Sequence, residues 1–168
     1  MDTTELTIQI VLYEENKELI FKCLENLKNF KILILDNSNN KKLKGQILNK
    51  FDIKEYILPN KNLGYSKGHN YLSKKVDTKY LLILNADCQI NEKNIKNLLQ
   101  SYKKYTDCGL ISPTTFNDKF EYTYNGGPFF ENENQSEITK ISGDTCFQRV
   151  LGAAMLIEKN FFFRYRYV

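Results

Sequence analysis

Six short apolar runs alternate with amphipathic or polar stretches along this 168-residue chain. They are IQIVLY (8–13), ILILD (32–36), EYIL (55–58), YLLILN (80–85), CGLIS (108–112) and RVLGAAMLI (149–157). Each is apolar nearly throughout, the pattern of a strand covered on both faces. Helical spacing fills the intervals. Asn16 is placed to cap a helix carrying Leu19, Ile20, Cys23, Leu24 and Leu27. Asn91 is placed to cap another with Ile95, Leu98, Leu99 and Tyr102. Both sets follow the i, i+3, i+4, i+7 repeat. Leu43, Ile47, Leu48 and Phe51 predict a third helix, and a fourth is expected to begin near Ser66. Strands alternating with helices make right-handed βαβ units. The expected fold class is therefore α/β, a mainly parallel sheet with helices on both faces, in one domain over residues 1–168. From Thr114 to Phe147 the pattern lapses. That polar segment predicts a hairpin and long loop, with Gly126-Gly127-Pro128 as a turn.

Composition removes several alternatives. At 42% hydrophobic and 26% charged residues, the chain is that of an ordinary globular protein. No apolar run is long enough to span a bilayer, and Met1 to Leu6 lacks the basic stretch of a secretory signal. A cytoplasmic location is the default expectation. The four cysteines form no CxxC pair and there is one histidine, His69, so zinc is disfavoured and reduced thiols are expected. Net charge is +4, but the lysines are spread among acids rather than concentrated. Nucleic acid is therefore not an expected partner. Peripheral association with the inner, anionic membrane face stays open. No GxGxxG follows the first run, which argues against a dinucleotide oxidoreductase.

In parallel sheets ligands bind beyond the carboxyl ends of the strands. Run one ends at Tyr13-Glu14-Glu15, run two leads from Asp36 into Asn37-Ser38-Asn39-Asn40, and run four ends in Asn85-Ala86-Asp87. Asn60 to Asn70, NKNLGYSKGHN, lies between runs three and four. Singly, each has a plain structural use: Asp36 and Asn37 as turn formers, Gly64 as a turn glycine, Ser66 as a cap, His69 as a surface or helix-face residue. Jointly they assemble a ligand site. Tyr13 can stack on a base, and Asp36 can accept a pyrimidine ring N–H. The glycines, the helix N-terminus and Lys67 suit a diphosphate. Asp87 can hold a divalent cation whose shell is completed by phosphate oxygens and water.

These segments resemble the family 2 glycosyltransferases of the GT-A, Rossmann-like fold, especially the branch containing rhamnosyltransferase-like enzymes. IVLYEEN, ILILDNSNN, NKNLGYSKGHNYL, YLLILNADC and LGAAMLIEKNFF run in the family order. The resemblance implies that Tyr13 and Asp36 line the base pocket and that Asn37, Gly64, Lys67, Gly68, Asn70 and Asn85 lie beside the nucleotide. Asp87 is the implied metal residue, because the first acid of the usual triplet is Asn85 here. Gly152, Ala153, Ala154 and Met155 are implied near donor sugar and acceptor. An inverting transferase is implied, with Mg or Mn, a UDP- or dTDP-sugar donor and a saccharide or lipid-linked acceptor, in cell-surface polysaccharide synthesis. The chain departs from the pattern at Glu14, where asparagine is usual, and at Asn40-Lys41. After Glu158 it contains no carboxylate, although the family continues to an acidic pair bearing the general base. The C-terminal catalytic and acceptor segment is thus expected to be missing and no catalytic base is assigned. The competing expectation is a noncatalytic nucleotide-binding remnant or partner of a complete transferase.

Overall fold

The computed structural model describes residues 3–123, 126–127 and 149–165. Strands β1 (Leu6–Leu12), β2 (Lys31–Asp36), β3 (Glu55–Ile57) and β4 (Tyr80–Leu84) pair in parallel. Strand β5 (Leu110–Ile111) closes the far edge, and β10 (Ala154–Glu158) lies between β4 and β5, antiparallel to both. The order is β3-β2-β1-β4-β10-β5. The expected mainly parallel α/β sheet is therefore observed, with one reversed strand.

Two cores flank this sheet because successive side chains of each strand point to opposite faces. Leu6, Ile8, Ile10 and Leu12 of β1, Ile32 and Ile34 of β2, and Leu82 and Leu84 of β4 share the first core. Helices α1 (Lys17–Glu25), α2 (Lys41–Leu48) and α4 (Glu92–Lys104) cover it with Ile20, Cys23, Leu24, Leu43, Ile47, Ile95, Leu98 and Leu99. The intervening Leu33, Leu35, Leu81 and Ile83 form the second core. Leu72 of α3 (Gly64–Ser73) and Phe162 of α5 (Lys159–Tyr165) cover that face. Asn16, Asn40 and Asn91 cap α1, α2 and α4 by accepting from Glu18, Leu43 and Asn94 N–H. None of the described helices is long and apolar enough to cross a membrane.

Some local expectations need correction. Helix α3 begins at Gly64, so Ser66 lies in its first turn, and Leu63 supplies no side-chain cap. Leu19 and Leu48 are exposed, whereas Leu27 and Phe51 are buried just beyond their helices. The run at 149–157 is not one strand. It breaks at a turn around Gly152 between β9 (Arg149–Val150) and β10. Gly126–Gly127 is β8, paired with β9, rather than a turn. The predicted hairpin exists as β6 (Thr115–Phe116) against β7 (Tyr122–Thr123). The predicted long loop at 128–148 lies outside the described residues.

The strand order places the site. The connection through α3 runs from β3 past β2 and β1 to β4, reversing the direction of winding. Right-handed crossovers then require α3 on the opposite face from α1 and α2, as the two cores show. The reversal puts the topological switch between β1 and β4, where an α/β sheet opens its ligand crevice.

Candidate functional site

Residues from five elements meet at this edge: the loops after β1, β2 and β4, the start of α3, and the turn before β10. The last belongs here because β10 is antiparallel, so its amino end lies beside the carboxyl end of β4.

After β1, Tyr13 is 53% exposed and free to offer a ring face. Glu14 has φ 56°, a left-handed conformation that favours glycine or asparagine over glutamate. The departure from the usual asparagine is thus a strained position.

After β2 the polar groups are turned inward. Asp36 is fully buried. Its Oδ1 accepts from Ser38 N–H at 2.9 Å and from the Ser38 hydroxyl. Its Oδ2 accepts from Asn40 N–H at 3.2 Å and from the Tyr56 hydroxyl at 3.0 Å. A carboxylate has about four acceptor positions, and all are occupied by the protein. Burial, then the adjacent Asp36 charge, pushes the Tyr56 phenol far above its ordinary range, so it stays a donor. Asn37 joins this loop to α3: its Oδ1 accepts from Leu63 N–H at 2.9 Å and its Nδ2 donates to the Gly64 carbonyl at 3.3 Å.

At the start of α3 the N-cap residue, Leu63, offers no side-chain acceptor. Leu63 N–H is held by Asn37, and Gly64 N–H donates to Asn62 Oδ1 at 2.7 Å. Gly64 has φ +71°, which explains the glycine. Lys67 is exposed one turn in. Gly68 has a different job from the one its motif suggests. A Cβ there would lie 3.0 Å from Val11 Cγ2 and 3.1 Å from Cγ1, so Gly68 lets α3 pack on β1. Asn70 is half-buried, about 9 Å along the axis from Gly64 at about 1.5 Å per residue.

After β4, Asp87 is exposed and Asn85 half-buried. The Ala153 carbonyl accepts from Asn85 N–H at 2.9 Å and from the Cys88 thiol at 3.6 Å. Burial, then neighbouring Asp87, pushes that thiol up to about 11, which keeps it protonated. The next carbonyl, of Gly152, accepts from the Tyr65 hydroxyl at 2.5 Å. Gly152 and Ala153 therefore stand at the crevice. Ala154 is buried in the first core and Met155 packs against the second. Among the described residues no three His, Cys, Asp or Glu side chains cluster as metal ligands. Asp87 is the exposed carboxylate of the loop after β4, and it could hold a cation whose shell is completed by phosphate oxygens and water.

Motif reading missed two residues here, Tyr65 and His69. Of its two plain readings, surface or helix-face, the second holds: His69 is fully buried on the face of α3 that covers the sheet. Its signal was in β1, where Thr7 and Gln9 interrupt an otherwise apolar strand at alternate positions. Both polar side chains point to the face that α3 covers.

Glycosyl transferase family 2 matches residues 7–160 of this sequence. The chain belongs to that family. No curated protein matches it. Among solved structures it is similar to the mannosyltransferase PcManGT from Pyrobaculum calidifontis in complex with GDP-Man and Mn2+. That match has 10% identity and a TM-score of 0.65, over 95% of this chain and 46% of the other. It is similar also to residues 1–349 of S. aureus TarS, with 14% identity and a TM-score of 0.63, over 97% of this chain and 49% of the other. A third relative in fold is the CMP:2-keto-3-deoxy-manno-octonic acid synthetase complexed with CTP. There the identity is 11% and the TM-score 0.59, over 97% and 78% of the two chains. The family 2 chain thus has the GT-A fold and spans about half the length of the first two of these structures.

Proposed function

We propose that this chain binds a nucleoside diphosphate-linked sugar and forms the donor half of an inverting glycosyltransferase of the rhamnosyltransferase-like branch. The observation that carries this is the order of chemistry across the sheet edge. An exposed tyrosine follows β1, a helix N-terminus with Lys67 comes next, an exposed carboxylate follows β4, and a backbone turn stands beside β10. From β2 to β10 is three strand spacings, roughly 14 Å at about 4.8 Å each. That suits an extended base, ribose, diphosphate and sugar.

Tyr13 stacks on the base, and the loop held by Asp36 and Asn37 forms the wall beside it. With all of its acceptor positions occupied, Asp36 orders that wall rather than accepting a ring N–H. The α3 N-terminus and Lys67 face the diphosphate, where backbone N–H groups and the helix dipole favour negative charge. Asp87, with Asn85 beside it, would hold Mg2+ or Mn2+, which when bound offsets charge on the departing nucleoside diphosphate. UDP or dTDP is the preferred nucleotide, the acceptor a saccharide or lipid-linked saccharide, and the setting cell-surface polysaccharide synthesis at the cytoplasmic membrane face.

Transfer also needs a carboxylate to deprotonate the acceptor hydroxyl. Glu158 is no candidate, because it pairs with Tyr80 at the opposite end of β4. The fold alone would also admit nucleotidyl transfer, given the synthetase likeness; the family assignment favours glycosyl transfer. Thermal shift of the purified chain with UDP, dTDP, GDP and CTP, with and without Mn2+, tests the proposal. Stabilisation by UDP or dTDP that grows with Mn2+ supports it, and stabilisation by CTP alone contradicts it.

A further inference from the structure

The turn before β10 is tied down from two sides. Ala153 is bonded to the loop that carries Asp87, through Asn85 N–H and the Cys88 thiol. Gly152 is bonded to α3 through Tyr65. Tyr65 is itself braced from below. Its ring meets the His69 ring edge-on, with centroids 4.5 Å apart at 69°. His69 in turn meets Gln9 of β1. In the amide orientation that satisfies both ends of Gln9, it donates to His69 Nδ1 at 3.3 Å and accepts from Ser73 N–H at 3.2 Å. Nδ1 is then an acceptor, so the neutral ring carries its proton on Nε2. Burial holds His69 near 3, well below its ordinary value, and pushes Tyr65 up to about 12. Both stay neutral at physiological pH, and the Tyr65 hydroxyl stays a donor.

A ligand whose diphosphate lies at Asp87 has one group further along the edge than its phosphates, the glycosyl group. The Gly152–Ala153 turn flanks that position. We propose that Tyr65 is a positioning residue, whose bond to the Gly152 carbonyl fixes this turn against the sugar and so sets the preference for a nucleotide sugar over the bare nucleotide. This rests on the donor-site proposal above. It deepens that proposal by separating the residues that hold the nucleotide from one that acts on the sugar through backbone.

Tyr65→Phe removes the hydroxyl and keeps the ring on His69. Calorimetric titration with Mn2+ present would compare UDP with UDP-glucose and dTDP with dTDP-glucose on wild type and Tyr65→Phe. The wild type is expected to bind the sugar-bearing ligand of its preferred pair at least as tightly as the bare diphosphate. Tyr65→Phe is expected to leave the bare diphosphate within about twofold and weaken the sugar conjugate about five- to tenfold. Equal weakening of both ligands, or of neither, overturns the role of Tyr65 while leaving the donor site standing. A wild type that binds none of the four overturns both.

Discussion

Asp36 and Asp87 stand in equivalent places, each near the carboxyl end of a parallel strand, and the structure uses them in opposite ways. Asp36 is buried and gives every acceptor position to Ser38, Asn40 and Tyr56. Asp87 is exposed at the crevice edge. One builds a loop and the other presents a charge. Position after a strand therefore does not make an aspartate a ligand residue; the partners that reach it decide.

That contrast can be broken first at Asp36. Asp36→Ala leaves the Tyr56 hydroxyl and two loop N–H groups without their acceptor in a buried site. The expected loss is about 3 kcal/mol or more of unfolding free energy, measured by urea denaturation. Asp87→Ala should stay within about 0.5 kcal/mol of wild type, as exposed substitutions do. Comparable losses in the two variants would erase the distinction.

The buried polar layer beneath α3 gives the next effect. Folded His69 titrates near 3, against an ordinary 6.5. Below pH 6.5 the unfolded chain takes up a proton that the folded chain refuses. Stability present above pH 6.5 is therefore lost as pH falls toward 3, by about 1.4 kcal/mol per unit. Between pH 7 and 5 the His69 contribution is about 2 kcal/mol. His69→Gln should flatten the stability curve over that interval, and an unchanged slope would place the titration elsewhere.

Gly68 separates packing from ligand approach. Gly68→Ala gains helix propensity but forces Val11, and a net loss of about 1 kcal/mol is expected. Val11→Ala in the same chain should recover it, because the two sites share one contact. A loss of nucleotide affinity without loss of stability would return Gly68 to the ligand site. The smallest effect is expected at Glu14. Glycine tolerates φ 56° without strain, so Glu14→Gly should raise stability by about 0.5–1 kcal/mol.

The parallel strands and helices α1, α2 and α4 were legible because apolar spacing is a local signal, as are the caps at Asn16 and Asn91; the cap at Asn40 and the break in the last apolar run were not read. Strand order was not, since it depends on which elements pair across the chain, and with it went the reversal of β10. The different fates of Asp36 and Asp87 were hidden for the same reason. Tyr56, which takes one Asp36 oxygen, is twenty residues away. Tyr65 and Gly152 are further apart still. Gly68 and Gly64 look alike within one motif, yet one is needed for a positive φ and the other for close packing. Gln9 and Thr7 did signal a polar layer, but only the fold shows that His69 lies over it.

The most direct test is titration of UDP or dTDP into wild type and Asp87→Ala, each with and without Mn2+. Wild type should bind at least tenfold more tightly with the metal. Asp87→Ala should keep its fold and its metal-free affinity and lose the enhancement. A variant that retains the full Mn2+ enhancement would contradict the assignment of the exposed carboxylate after β4 to the diphosphate-bound metal.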